Sequence, residues 1–159
     1  MKGVPYFAAG LILAAVVAAG YLIYQNQPAV CDVCLRPLHE QTFYQIHLKG
    51  GGVRKVCCPR CGLHFQKGRD DVSSTEATDF DTGERLKGQE AYYVENSSVN
   101  LCRSTGLVRE DRSGRQYTAD WDRCLPSLIA FKTLREAEQF RSQKGGAIKD
   151  YAQLLKESF

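Results

Sequence analysis

The chain has 159 residues, enough for one compact domain plus a membrane segment and too few for two full cores. Its 21 Lys and Arg stand against 18 Asp and Glu, with no basic run and no aromatic-basic stripe, so the composition argues against an electrostatic nucleic-acid binder and no nucleic acid is expected among its partners. Seven cysteines in so short a chain call either for oxidation or for a metal that keeps them reduced.

Between Lys2 and Asp32 there is no charge, and Tyr6 to Tyr24 is almost entirely apolar. About 20 such residues, rising 1.5 Å each, span a bilayer core, and Tyr6, Tyr21 and Tyr24 fall where an aromatic belt is expected. A cleaved signal peptide is the alternative, but the apolar run is longer than the usual signal core and no clear small-x-small cleavage site surrounds Gly20-Tyr21-Leu22. Residues 1–27 are therefore expected to form a single transmembrane anchor, touching the membrane through residues 6–24. Lys2 before the run and Arg36 after it place the N-terminus inside and the C-terminal domain in the periplasm or outside, on a bacterial inner (cytoplasmic) membrane. Gly10, Ala14 and Ala18 share a small-residue stripe that would let another helix approach, hence a possible protein partner in a membrane complex.

Pro28 closes the polar exit QNQPAV, and the Cys-rich unit, 28–78, starts at once. Two β-prone runs, Thr42 to Leu48 and Val53 to Val56, are joined by Gly50-Gly51-Gly52 and read as a hairpin. Pro59 to Lys67 has few β-branched residues and a proline tolerated in a first turn, which predicts a short helix. Residues 68–78 are polar and predict a surface loop or linker. The second α+β unit, 79–159, opens with Ala77 to Phe80 running into a turn at Asp81-Thr82-Gly83, then Arg85 to Leu86 and Ala91 to Glu95 as short strands, with one more possible around Leu101. Residues 106–120 read as loop and turn with Ser113-Gly114 at the tip, or equally as a hairpin. Leu125 to Phe131 is strand-like after Pro126, and Thr133 with Glu136 is a capping-box signature for a helix that Gly145-Gly146 stops. A last short helix is expected over Ile148 to Lys156. Strands followed by a helix occur once in each half, which suggests a duplicated small unit.

Cys31-x-x-Cys34 is followed, about 23 residues later, by Cys57-Cys58-Pro59-Arg60-Cys61. A hairpin between paired cysteines can bring four thiolates to tetrahedral spacing, the usual signature of a metal site. Cys31, Cys34, Cys58 and Cys61 are the expected ligands, Cys58 because Cys58-x-x-Cys61 repeats the two-residue loop, with Cys57 as its possible replacement. His39 and His64 are possible further ligands, whereas His47 in strand-like sequence reads as a surface or second-layer residue. For Cys102 and Cys124 the simplest reading is a disulfide, and the alternative is a thiolate offered to the cluster by the second half; no sequence argument separates these. Cys58-Pro59-Arg60-Cys61 could also cycle as a thiol-disulfide oxidoreductase, although the crowding by other cysteines argues against it. No haem-attachment histidine follows either pair, and no G-x-S-x-G, H-E-x-x-H or phosphate-binding glycine loop is present.

Asp81-Thr82-Gly83, Ala91-Tyr92-Tyr93-Val94, Leu128-Ile129-Ala130-Phe131, Ala137-Glu138-Gln139-Phe140 and Gly145-Gly146 resemble the NosL family, the copper-binding accessory proteins of nitrous oxide reductase. Val56-Cys57-Cys58-Pro59-Arg60-Cys61 is similar to the first half of that family and to the treble-clef-like TRASH domains. The resemblance covers roughly residues 31–156 and implies an α+β fold of duplicated small ββα-type units, here behind a single N-terminal transmembrane helix, with Cu⁺ bound through sulfur on the outer side of the membrane. Cys31-Asp32-Val33-Cys34 stands where the family carries a Cys-x-Met-like element, and Pro126-Ser127-Leu128 where it carries Pro-Met-Gly. Thiolates in place of thioethers bind harder and move the site toward Zn²⁺. The expectation is a non-enzymatic, membrane-anchored extracytoplasmic protein that binds Zn²⁺ or Cu⁺ as an accessory of a respiratory or metalloenzyme system. The alternative is a small structural subunit of a larger membrane complex.

Overall fold

The computed structural model describes residues 4–25, 29–102, 108–110, 113–118 and 123–158. Helix α1 (Val4–Gln25) is followed by a 3-10 turn (Glu40–Thr42), strands β1 (Tyr44–Leu48) and β2 (Val53–Val56), helix α2 (Pro59–Gln66), and strands β3 (Val72–Thr78), β4 (Arg85–Lys87) and β5 (Tyr92–Glu95). A short hairpin, β6 (Val108–Glu110) and β7 (Gln116–Thr118), precedes β8 (Leu128–Phe131), α3 (Leu134–Lys144), β9 (Ala147–Lys149) and α4 (Tyr151–Ser158).

The apolar N-terminal run is helical, as its alanines and leucines favour. Its described neighbouring side chains run from Ala9 to Leu22, fourteen residues, all exposed. Among the described residues no helix is long and apolar enough to cross a membrane. The transmembrane anchor, the membrane contact through residues 6–24, the inner-membrane location with a periplasmic domain, and the membrane-complex partner that rested on them are corrected accordingly. Tyr21 accepts a hydrogen bond from the Gln25 side chain at 2.8 Å; the side chains of Tyr6 and Tyr24, the rest of the expected belt, lie outside the described residues.

The folded part repeats one plan. In the first sheet β1 is flanked by β2, to which a tight glycine turn joins it, and by β3, the strand that follows α2; β4 adds an edge, giving the order β2-β1-β3-β4, all antiparallel. In the second sheet β5 is flanked by β8 and by β9, the strand that follows α3, again antiparallel. Both units therefore read strand, strand, helix, strand with the first strand central, and the α+β class built from small ββα units is present without the transmembrane helix ahead of it. They differ in the link between their first two strands. It is a four-residue turn in the first unit and spans 96–127 in the second, where it carries Cys102, the β6–β7 hairpin and Cys124.

A buried carboxylate joins the sheets. Asp79 forms a parallel bridge with Ala130, its Oδ1 accepts the Lys132 N–H at 2.9 Å, and its Oδ2 accepts the Thr82 N–H at 3.0 Å and hydroxyl at 2.6 Å. Tyr44, Ile46, Val56, Tyr93 and Leu154 form the core between the units together with the buried cysteines. Phe131, Phe140 and Phe80 pack under α3 with ring centroids 4.9–6.0 Å apart. Helix α2 lies so close on β1 that a Cβ at Gly62 would come within 2.5 Å of the Tyr44 ring.

Residues 68–78, expected as a loop, contain the interior strand β3: Thr75, Ala77 and Thr78 are buried, and the hydroxyl of Thr78 donates to the Phe43 carbonyl at 2.7 Å. Small polar side chains were misleading there because the Thr78 hydroxyl finds a partner inside, while the Thr75 hydroxyl is buried without one among the described residues. The segment around Leu101 is a turn, 106–120 holds the hairpin alternative, and the last expected helix begins only at Tyr151 because Ala147–Lys149 pairs with β5. Asp150 and Gln153 then form a reciprocal cap, Gln153 N–H to Asp150 Oδ1 at 2.8 Å and Asp150 N–H to Gln153 Oε1 at 2.9 Å.

Candidate metal centre

Cys31 and Cys34 lie in a tight turn. The Leu35 N–H donates to the Cys31 carbonyl at 3.0 Å, the Cys31 N–H to the Arg36 carbonyl at 2.8 Å, and the N–H groups of Val33 and Cys34 each point at Cys31 Sγ at 3.4 Å. Leu35 closes the turn with φ of 61°, a left-handed conformation unusual for a residue with a side chain. Asp32 fixes this turn to the end of β2: its N–H donates to the Lys55 carbonyl and its carboxylate accepts the Lys55 N–H, both at 2.9 Å.

Cys57 and Cys58 follow β2 directly. Cys58 is the extended N-cap of α2 and Pro59 occupies its first turn, so Cys61 comes back over the same point one turn later. The Thr42 hydroxyl donates to the Cys57 carbonyl at 2.8 Å. Cys102 and Cys124 arrive from the 96–127 link, which is held from both sides: Arg36 donates to the Cys102 carbonyl and lies 3.8 Å from Cys124 Sγ, while Arg60 Nε donates to the Pro126 carbonyl at 3.0 Å. Arg60 also pairs with Glu95 on β5, whose other oxygen sits 2.5 Å from Lys149 Nζ. Burial pushes the Glu95 carboxyl up, but the bonds from Lys149 and Arg60 outweigh it and hold the group below the ordinary carboxylate range.

All seven sulfurs converge. Cys57 Sγ is 3.4 Å from Cys34, 3.7 Å from Cys61, 3.7 Å from Cys124 and 3.9 Å from Cys58. Cys124 Sγ is 3.6 Å from Cys61 and 4.0 Å from Cys34. Two sets of four, Cys31, Cys34, Cys57 and Cys61, and Cys57, Cys58, Cys102 and Cys124, each have every sulfur within 4.8 Å of the others. Four thiolates at about 2.3 Å from one tetrahedral ion stand about 3.8 Å apart, so the spacing fits a metal of that size. The seven cysteines are free thiols, which replaces the expected Cys102–Cys124 disulfide with the alternative of sulfurs offered by the second half. Cys31, Cys57 and Cys61 are fully buried, and Cys34 alone among the seven is half-exposed.

The thiols share their protons unevenly. Hydrogen bonds from Cys57 and Cys61 hold Cys31 low, and those from Cys102 and Cys57 hold Cys124 down at about 4. Cys57 and Cys61 are pushed up by giving their protons to neighbours, chiefly Cys102 and Cys124 respectively, and burial raises Cys34 to about 11. Burial and proton sharing thus keep several of these sulfurs as uncharged S–H groups, which a thiophilic ion must deprotonate to bind.

Of the residues singled out from the sequence, Cys31, Cys34 and Cys61 share one cluster, with Cys57 as its fourth member, while Cys58 faces Cys57, Cys102 and Cys124. His39 and His64 lie outside both clusters. His39 lines an open groove of about 640 Å³ with Phe43, Asp81 and Arg85, and His64 a cleft with Arg60 and Glu95. Burial, then the nearby Arg60 charge, lower the His64 pKa. His47 on β1 pairs with Glu76 at 3.1 Å.

No protein-family model matches the chain. It is 26% identical over 130 residues to the HTH-type transcriptional repressor CutR of Bacillus subtilis, a match covering 80% of this chain and 57% of that protein. The chain thus spans little more than half the length of this relative. That relative is named a transcriptional repressor, which is work on nucleic acid, so the exclusion of nucleic acid drawn from the even charge balance is withdrawn. Its fold is similar to that of the copper chaperone NosL from Shewanella denitrificans, with a TM-score of 0.56 and 16% identity over 79% of this chain and 88% of that one. At that identity the likeness establishes the fold, and with it the chain is a distant structural relative of NosL whose clustered cysteines have the capacity to hold a metal ion.

Proposed function

We propose that the chain is a non-catalytic sensing module for a closed-shell thiophilic cation, Cu⁺ or Zn²⁺, bound first by Cys31, Cys34, Cys57 and Cys61. The observation that carries this reading is the convergence of seven sulfurs from two units on one buried point. The division into a Cys-rich unit, 28–78, and a second unit, 79–159, that lends β4 to the first sheet belongs to the same proposal. Packed thiolates repel one another, so the two units meet at this point only when protons or a cation neutralise them. An ion there removes the thiolate repulsion that would hold Cys102 and Cys124 away, and occupancy is read out as docking of the 96–127 link. CutR is a transcriptional repressor by name, and a docking step that follows ion occupancy would serve a regulator. Delivery, the role of the copper chaperone that shares the fold, needs a sulfur open to an incoming acceptor. Burial of six of the seven thiols favours retention over transfer.

The reading is tested by loading reduced protein anaerobically with Cu⁺ or Zn²⁺ against a competing chelator and following amide exchange. Expected is retention against millimolar glutathione, with added protection of the peptides containing Cys102 and Cys124. Failure to bind, or binding that leaves those peptides as they were, overturns it.

A further inference from the structure

The two groups of four cysteines have one member in common. A single tetrahedral ion uses four sulfurs and would leave three buried thiols idle, whereas two independent tetrahedral sites need eight. The chain has seven, and the shared one is Cys57. We propose that the cysteines form one cluster of two ions in which the Cys57 sulfur bridges: Cys31, Cys34 and Cys61 complete the first site, and Cys58, Cys102 and Cys124 the second. This inference rests on the thiolate-site reading above and extends it from one ion to two.

Cys57 is placed for the bridge. It lies between the sets, 3.4 Å and 3.7 Å from Cys34 and Cys61 on one side and 3.9 Å and 3.7 Å from Cys58 and Cys124 on the other. Its main chain is fixed by the end of β2 and by the Thr42 hydroxyl, which donates to the Cys57 carbonyl, so the backbone holds the residue between the two sets. A thiolate sulfur has lone pairs for two metals, and two tetrahedra sharing it put the ions about 3.8 Å apart at ordinary metal–sulfur lengths. Filling both sites releases the protons of all thiols still protonated, and with two divalent ions seven thiolates carry a net charge of three minus. Arg36, reaching Cys102 and Cys124, lies on that charge. The division of labour follows the chain: the first site comes wholly from the Cys-rich unit, while the second cannot form until the 96–127 link is docked. The second ion then locks the docked link in place.

The direct test is the reduced full chain loaded with ¹¹³Cd²⁺ as a spectroscopic substitute. Expected are two Cd²⁺ per chain in native mass spectrometry and two resonances in the all-sulfur region, split by mutual scalar coupling through the shared sulfur. Cys57→Ser abolishes the coupling and leaves no more than one ion, while Cys102→Ser and Cys124→Ser each keep one ion and lose the other. Saturation at one Cd²⁺, or two uncoupled resonances, overturns the shared bridge even if the variants fail to fold, because the unmodified chain supplies both readings. Absence of any bound ion would overturn the sensing proposal itself, whereas one tightly held ion would overturn only the cluster.

Discussion

Gly62→Ala couples the packing of the molecule to its metal centre. A Cβ there would lie 2.5 Å from two carbons of the Tyr44 ring, against an ordinary carbon contact of about 3.5–4.0 Å. Tyr44 is 1% exposed and lies in the central strand, so the ring has nowhere to go. Helix α2 must lift by about 1 Å. Overpacking of this kind costs about 1–3 kcal/mol, and the better helix propensity of alanine returns about 1 kcal/mol, leaving a net loss of up to about 2 kcal/mol. Cys61 moves with the helix while Cys57 stays on β2, so a sulfur pair now 3.7 Å apart is stretched past the tetrahedral spacing. Urea unfolding of metal-free and loaded protein separates the two effects. The variant should lose stability in both forms and lose more in the loaded one, with weaker metal retention. Unchanged unfolding midpoints together with unchanged metal retention would refute the close-approach argument.

Asp79→Ala leaves the N–H groups of Lys132 and Thr82 without their buried acceptor and should cost about 2–4 kcal/mol in urea unfolding, since each bond to a charged group is worth about 1.5–3 kcal/mol. Glu95 titrates below its ordinary range in the folded chain, so its stabilisation is complete above about pH 4.3 and is lost as the pH falls through the lower folded value; Glu95→Gln should flatten that acid limb and destabilise the protein at pH 7 by leaving Arg60 and Lys149 unpaired, as chemical unfolding across pH 3–7 would show. Thiols held up, Cys34 at about 11 among them, still carry protons at neutral pH. Metal loading should therefore acidify a weakly buffered solution, and apparent affinity should fall at least tenfold per pH unit on acidification, read by chelator competition.

How much of this was legible depended on the kind of signal. The β1–β2 hairpin, α2 and the Thr133 capping box follow from glycines, a proline and a Thr-x-x-Glu spacing, all local chemistry that the fold respects. Strand β3 was hidden because its buried residues are threonine and alanine, which carry little apolar signal, and the Thr78 hydroxyl finds its acceptor only far along the chain, at the Phe43 carbonyl. Asp79 was passed over for the same reason, since its partners at Thr82 and Lys132 meet only when the two sheets do. The paired cysteines announced a metal site, but spacing alone favoured Cys58 over Cys57. The structure places Cys57 in both sulfur groups and Cys58 with Cys57, Cys102 and Cys124, an arrangement that spacing along the chain does not reveal. The apolar N-terminal run shows how a compositional signal can outrun structure: it gives a helix, yet among the described residues no helix is long and apolar enough to cross a membrane.

The most direct test is a thiol count on reduced protein before and after anaerobic loading with Zn²⁺ or Cu⁺. The account predicts seven reactive thiols in the unfolded metal-free chain and near-complete shielding of them in the folded loaded one, Cys34 included. Thiols that stay equally reactive with and without metal, or sulfurs already joined as disulfides, would contradict it.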